Sequence, residues 1–134
     1  MHWMLIAAII VAGVLSSLTD WFFMGVLFHD RYQKYPDTWW PRSGAAAERG
    51  PIIWSTALGF VTAAAIALLC EFAGVTSIGG GLAVGALAAA AGPLVISPTN
   101  GMWVRIDPLV TAAHTVGYIV RFLIAGLAAG FALS

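Results

Sequence analysis

Charge is what this chain has least of. Only 9% of its 134 residues are Asp, Glu, Lys or Arg, against about a quarter in an ordinary soluble domain. Six basic and six acidic side chains cancel, and no basic run is present to engage a phosphate backbone. A nucleic-acid partner is not expected. Cysteine is nearly absent as well. Cys70 stands alone, so neither an intrachain disulfide nor a cysteine-built metal site can form. Its expected role is that of a small apolar residue near a helix end. Phosphate-binding loops, nucleophile elbows and paired carboxylates are all missing. No catalytic residue is therefore assigned, and a non-enzymatic protein is favoured.

What the chain does have is apolar surface. Hydrophobic residues make up 60% of it, more than a water-soluble fold of this length can hide. Four apolar stretches, at about 3–28, 51–71, 79–97 and 108–133, match the ~20 residues that carry a helix across a bilayer. The expectation is one all-α, membrane-embedded domain, residues 1–134, built as a bundle of four transmembrane helices. No Lys or Arg precedes the first stretch, which also outruns a signal-peptide core. It is expected to be retained as a span.

The one sizeable polar connection is 29–50. Here His29, Asp30, Arg31, Gln33, Lys34, Asp37, Arg42, Glu48 and Arg49 alternate with Tyr32, Tyr35, Trp39 and Trp40. Aromatics beside charges, just outside an apolar span, predict a loop lying in the membrane interface. Pro36 and Pro41 argue against a continuous helix there, although Ser43–Glu48 suits a short helical turn. Pro51 is expected in the first turn of the second span, with Gly74 just past its end. In the third span Gly92 and Pro93 predict a kink, and Pro98 an end. A loop to Asp107, with Asn100, Gly101, Trp103 and Arg105, is expected to follow.

Orientation follows from the positive residues. Arg31, Lys34, Arg42 and Arg49 lie in the first connection and Arg105 in the third, with none in the second or at either terminus. Positive residues stay on the cytoplasmic side. Both termini are therefore expected to be periplasmic, in a bacterial inner membrane.

Trp21, Phe22, Leu27-Phe28 and Tyr32 close the first span with aromatics running into a basic connection. Asn100 ends a Gly/Ala-rich span, and His114-Thr115-Val116-Gly117-Tyr118 lies in the last. This order resembles a family of small bacterial four-helix membrane proteins known only as a domain of unknown function. The resemblance spans nearly the whole chain. It implies fold and location, and it brings no activity or catalytic residue.

Ionisable groups inside a bilayer cost roughly 2.5–3.5 kcal/mol each on the insertion scale, so they need a reason. Asp20, His114 and Arg121 are the candidates. Asp20 shares a helical stripe with Gly13, Ser16 and Ser17, and Thr111, His114, Tyr118 and Arg121 share another. Asp20 and Arg121 differ in depth by about 7 Å at 1.5 Å per residue. The N-terminal lean of helical side chains carries the guanidinium toward the carboxylate. Two readings follow: a buried pair fixing helix register, or a ligand or proton site made by Asp20, His114, Tyr118 and Arg121. No second His or Cys stands at ligand spacing from His114, so no metal is expected.

Small residues four apart complete the pattern: Gly81 and Gly85, Ala88 and Gly92, Gly126 and Gly130. Such faces let helices approach closely, within a bundle or between molecules. Three function classes remain. The first is a self-associating protein or accessory subunit of a larger membrane complex, a homo-oligomer or a partner of unlike chains. The alternative is a transporter or a bundle binding a small molecule or lipid through Asp20, His114 and Arg121. An intramembrane enzyme has least support, since one acid and one imidazole do not define a reaction.

Overall fold

In the computed structural model, which describes residues 2–35 and 45–134, every regular element is helical. Helix α1 (His2–Asp20) passes into a π-helical segment, Trp21–Leu27, and a short 3-10 turn, His29–Gln33. Helices α2 (Ala45–Phe72), α3 (Ile78–Ala91), α4 (Pro93–Trp103) and α5 (Pro108–Leu133) follow. Among the described residues four segments are long and apolar enough to cross a membrane: Trp3–Leu27, Arg49–Phe72, Ile78–Trp103 and Pro108–Leu133. The protein is a four-helix bundle, its third span made of α3 and α4 together. Large apolar side chains cover its outside, among them Trp54, Leu87 and Phe131, at 71%, 72% and 65% exposure. In water such a surface would aggregate. In lipid it is the expected contact.

The four candidate spans overlap the apolar stretches of the sequence, but two expected helix ends differ. Pro51 lies inside α2, which already runs from Ala45, rather than in its first turn. The alanines at 45–47 are strong helix formers, so the helix starts earlier and forgoes the one bond that Pro51 cannot donate. Pro98 likewise fails to end the third span, and the helix continues to Trp103. Unwinding there would free several backbone groups in lipid, whereas continuing forfeits one. The Thr99 hydroxyl donates to the Val95 carbonyl at 2.7 Å in the same turn. Thus Asn100, Gly101 and Trp103 are helical, and the third connection shrinks to Val104–Asp107. The α-helix of the first span also ends early, at Asp20. From there the bonding lengthens, with Phe28 N–H donating to the Phe23 carbonyl five residues back at 3.2 Å. Trp39, Trp40, Pro36 and Pro41, which carried the interfacial-loop expectation, lie outside the described residues.

The Gly92–Pro93 break is where it was expected. Pro93 cannot donate to the Ala89 carbonyl, and α4 restarts with Gly92 accepting from Val95 and Ile96 at 3.1 and 2.9 Å. Gly74, at φ 66°, closes α2. Its N–H donates to Glu71 and that of Val75 to Cys70, both at 3.0 Å. This is the paired-bond helix stop that glycine permits. The five-residue connection that contains it, 73–77, makes α2 and α3 antiparallel.

Helix α5 is central and packs against α1, α2, α3 and α4. Its approach to α3 is backbone to backbone. A Cβ on Gly85 would lie 2.6 Å from the Phe122 carbonyl oxygen, and one on Gly130 2.8 Å from that of Ser77. Gly81 and Gly126 face each other in the same seam. The glycine faces are therefore used inside one chain, which removes them as grounds for self-association. Gly92 serves the kink, beside the Phe122 ring. A core of small residues, including Leu5, Ala12, Ala67, Cys70, Ala125 and Ala129, fills the half of the bundle nearer the α2–α3 turn. Cys70 is fully buried in it.

Candidate functional site

The other half of the bundle holds the buried charged residues. Arg121 on α5 forms a salt bridge with Asp20 at the end of α1. The arginine residue is 7% exposed, so the pair is removed from solvent, where an unpaired charge would be most costly. Small residues make the room. A Cβ on Gly59 of α2 would stand 3.9 Å from the guanidinium carbon, and one on Gly117 of α5 3.8 Å from Asp20 Oδ1. Ser16 and Ser17 continue the α1 stripe. Ser17 Oγ donates to the Gly13 carbonyl at 2.9 Å, while Ser16 Oγ is buried with no partner among the described residues.

From this pair a column of side chains runs toward the connection at 29–35. The Arg121 guanidinium lies 5.1 Å from the centre of the Tyr118 ring, a cation–π distance. Tyr118 meets His114 edge-on, with ring centres 5.7 Å apart. The His114 Nε2 and the Tyr32 hydroxyl are 2.6 Å apart. The hydroxyl donates if the imidazole carries its proton on Nδ1, and accepts in the other tautomer. Burial, and then the neighbouring Tyr118, push the Tyr32 phenol up to about 12, so it remains protonated at physiological pH.

Asp20, His114, Tyr118 and Arg121, read from the sequence as two stripes that meet in a buried pair or a site, lie together in one array. Tyr32 was expected in the interfacial belt, and instead turns inward onto His114. Nothing local announces that contact, because its partner lies 82 positions away. The first and third connections also meet. Lys34 Nζ is 3.1 Å from Asp107 Oδ2, and the Arg105 guanidinium lies 4.8 Å from the Tyr35 ring centre. Asp107 caps α5, accepting from Leu109 N–H at 2.8 Å. That bond first, and then Lys34, hold its carboxyl below the ordinary carboxylate range.

Beside the array is an open cleft of about 610 Å³. His114, Tyr118 and Arg121, with Ser97, Asn100 and Thr111, give it a polar wall. Leu58 of α2, Pro93 and Ile96 of α4, and Phe122 of α5 give it an apolar lining. The kink at Gly92–Pro93 belongs to the same lining, so the break in the third span and the cavity coincide. Arg121 Nε is buried with no hydrogen-bond partner among the described residues. No group of three His, Cys, Asp or Glu side chains converges among those residues. A space of this size, mostly apolar with a few convergent polar groups, has the character of a small-molecule site. No family model, curated protein or solved structure matches the chain.

Proposed function

We propose that this protein is a membrane-embedded binding protein that takes a lipid-soluble small molecule into the cleft beside His114, Tyr118 and Arg121. The observation that carries this reading is the coincidence of the cavity with the polar wall. An ion pair that served only to fix register would need no adjoining space. The alternative of a self-associating or accessory subunit is less well supported, because its glycine faces are occupied by the α3–α5 seam. The cleft-filling substitution Ser97→Trp tests the binding reading. A compound that co-purifies with the wild type in stoichiometric amount, detected by mass spectrometry, should be lost from the variant. Equal content of every co-purifying compound in both proteins would count against it.

The setting proposed is a bacterial inner membrane with the Lys/Arg-bearing connections cytoplasmic. It rests on the positive residues and on the resemblance to small four-helix proteins of unknown function. The cleft would then open in the cytoplasmic half. Cysteines at Ser43 and Ser77, in a Cys70→Ala background, report the orientation with an impermeant thiol reagent. In intact spheroplasts position 77 should react and position 43 should not; the reverse pattern would overturn the assignment.

A further inference from the structure

Three observations bear on what kind of molecule the cleft accepts. The first is charge. Among the described residues, Arg121 is the one Asp, Glu, Lys or Arg side chain in the lining, and Asp20, which does not line the cleft, already pairs with it. An anion entering the cleft would bring a charge that no further Lys or Arg of the lining neutralises. In a low-dielectric interior an uncompensated charge costs several kcal/mol. The second is donor supply. Arg121 and Tyr118 bring N–H and O–H groups to the same wall. Both can give a hydrogen bond to a neutral oxygen acceptor. The third is length. Thr111, His114, Tyr118 and Arg121 all line the cleft. Residues 111 and 121 are about 15 Å apart along α5 at 1.5 Å per residue. An extended molecule fits that run better than a compact one.

We infer that the cleft is selective for an elongated, uncharged amphiphile bearing a carbonyl oxygen, and that Asp20 sets this selectivity by cancelling the charge of Arg121. The carbonyl accepts from the polar side of the wall at Arg121 and Tyr118, and the apolar body lies against Leu58, Pro93, Ile96 and Phe122. Long-chain acyl esters and isoprenoid quinones share this chemistry. Here Asp20 acts as a positioning residue through Arg121 and does not itself line the cleft. The inference rests on the binding reading above, and its failure can be told apart from the failure of that reading.

The test uses the full chain in nanodiscs of an uncharged lipid. Three photoactivatable probes of equal chain length are compared: a methyl ester, a prenylated benzoquinone, and an alkyl sulfonate that is charged at every pH. Wild-type protein should be labelled at cleft residues by one or both neutral probes. The sulfonate should label those residues about tenfold less, the ratio that 1.4 kcal/mol of discrimination gives. The stronger of the neutral probes identifies an acyl or a ring source for the carbonyl. Asp20→Asn, which leaves the arginine charge uncancelled, should raise sulfonate labelling relative to both neutral probes. If that variant does not fold, the wild-type comparison decides alone. Sulfonate labelling equal to or above that of the neutral probes would overturn the selectivity and leave cleft binding intact. Labelling of the cleft by none of the three would overturn both.

Discussion

Removing either member of the Asp20–Arg121 pair is expected to destabilise the bundle more than removing both. Asp20→Asn strands a guanidinium that is almost fully buried, and Arg121→Gln strands a carboxylate whose side chain is 14% exposed. Breaking a buried pair by deleting one partner costs about 3–5 kcal/mol, because the survivor keeps its desolvation penalty without its counter-charge. The double variant has no stranded charge. It should therefore recover part of the loss, and the interaction energy of the cycle should clearly exceed the scatter of independent sites. Unfolding free energies in mixed micelles measure this. Two single effects that simply add would show that the pair is not an energetic unit. The neighbours predict a gradation. Tyr118→Leu removes the ring face over the guanidinium, a contact worth about 0.5–2 kcal/mol, and the edge contact with His114, but strands no charge, and should cost less than either charge deletion.

The second large effect is expected in the α3–α5 seam. A lipid environment supplies no hydrophobic drive between helices, so close packing must hold them together. Gly81, Gly85, Gly126 and Gly130 provide it. A side chain at these positions meets backbone, which cannot swing aside. Gly126→Leu should accordingly push the two helices apart, at or above the upper end of the ~1–3 kcal/mol range for overpacking. Gly81→Ala should show the same defect in milder form. Gly79 is the control. It lies in the same helix, with nothing within 4 Å of its Cβ position, so alanine there should be neutral or slightly stabilising. Because the seam is internal, the expected signature is loss of folded protein at unchanged particle mass. A well-folded Gly126→Leu variant of altered mass would instead place this face between molecules.

Much of this architecture is legible in the sequence, because lipid imposes few and strict demands. Apolar length gives the spans, and the cost of burying charge singles out Asp20 and Arg121 before any contact is known. Helical spacing then places His114 and Tyr118 with Arg121. Proline is harder to read. Pro51, Pro93 and Pro98 all lie within or beside long apolar stretches, yet only Pro93 breaks the helix, although Pro51 too follows a glycine. Glycine at 92 adopts φ −103° and ψ −102°, while the other two prolines each surrender one bond within a continuing helix. The π-helical turn after Asp20 has no local signature either. Nor do the contacts of Tyr32 with His114 and of Lys34 with Asp107, which depend on how the spans close around α5. The small-residue pattern was readable, but its partner was not: four-residue spacing is the same for a seam inside the bundle and for one between molecules.

The most direct measurement is a crystal structure grown in a lipidic mesophase from protein extracted without delipidation. The account predicts density in the cleft between Leu58, Ile96 and Phe122. A polar atom of the bound molecule should lie within hydrogen-bond distance of the Arg121 guanidinium or the Tyr118 hydroxyl, with the Asp20–Arg121 pair intact beside it. A cleft closed by α2 moving onto α4, or filled only by acyl chain that touches none of His114, Tyr118 and Arg121, would contradict it.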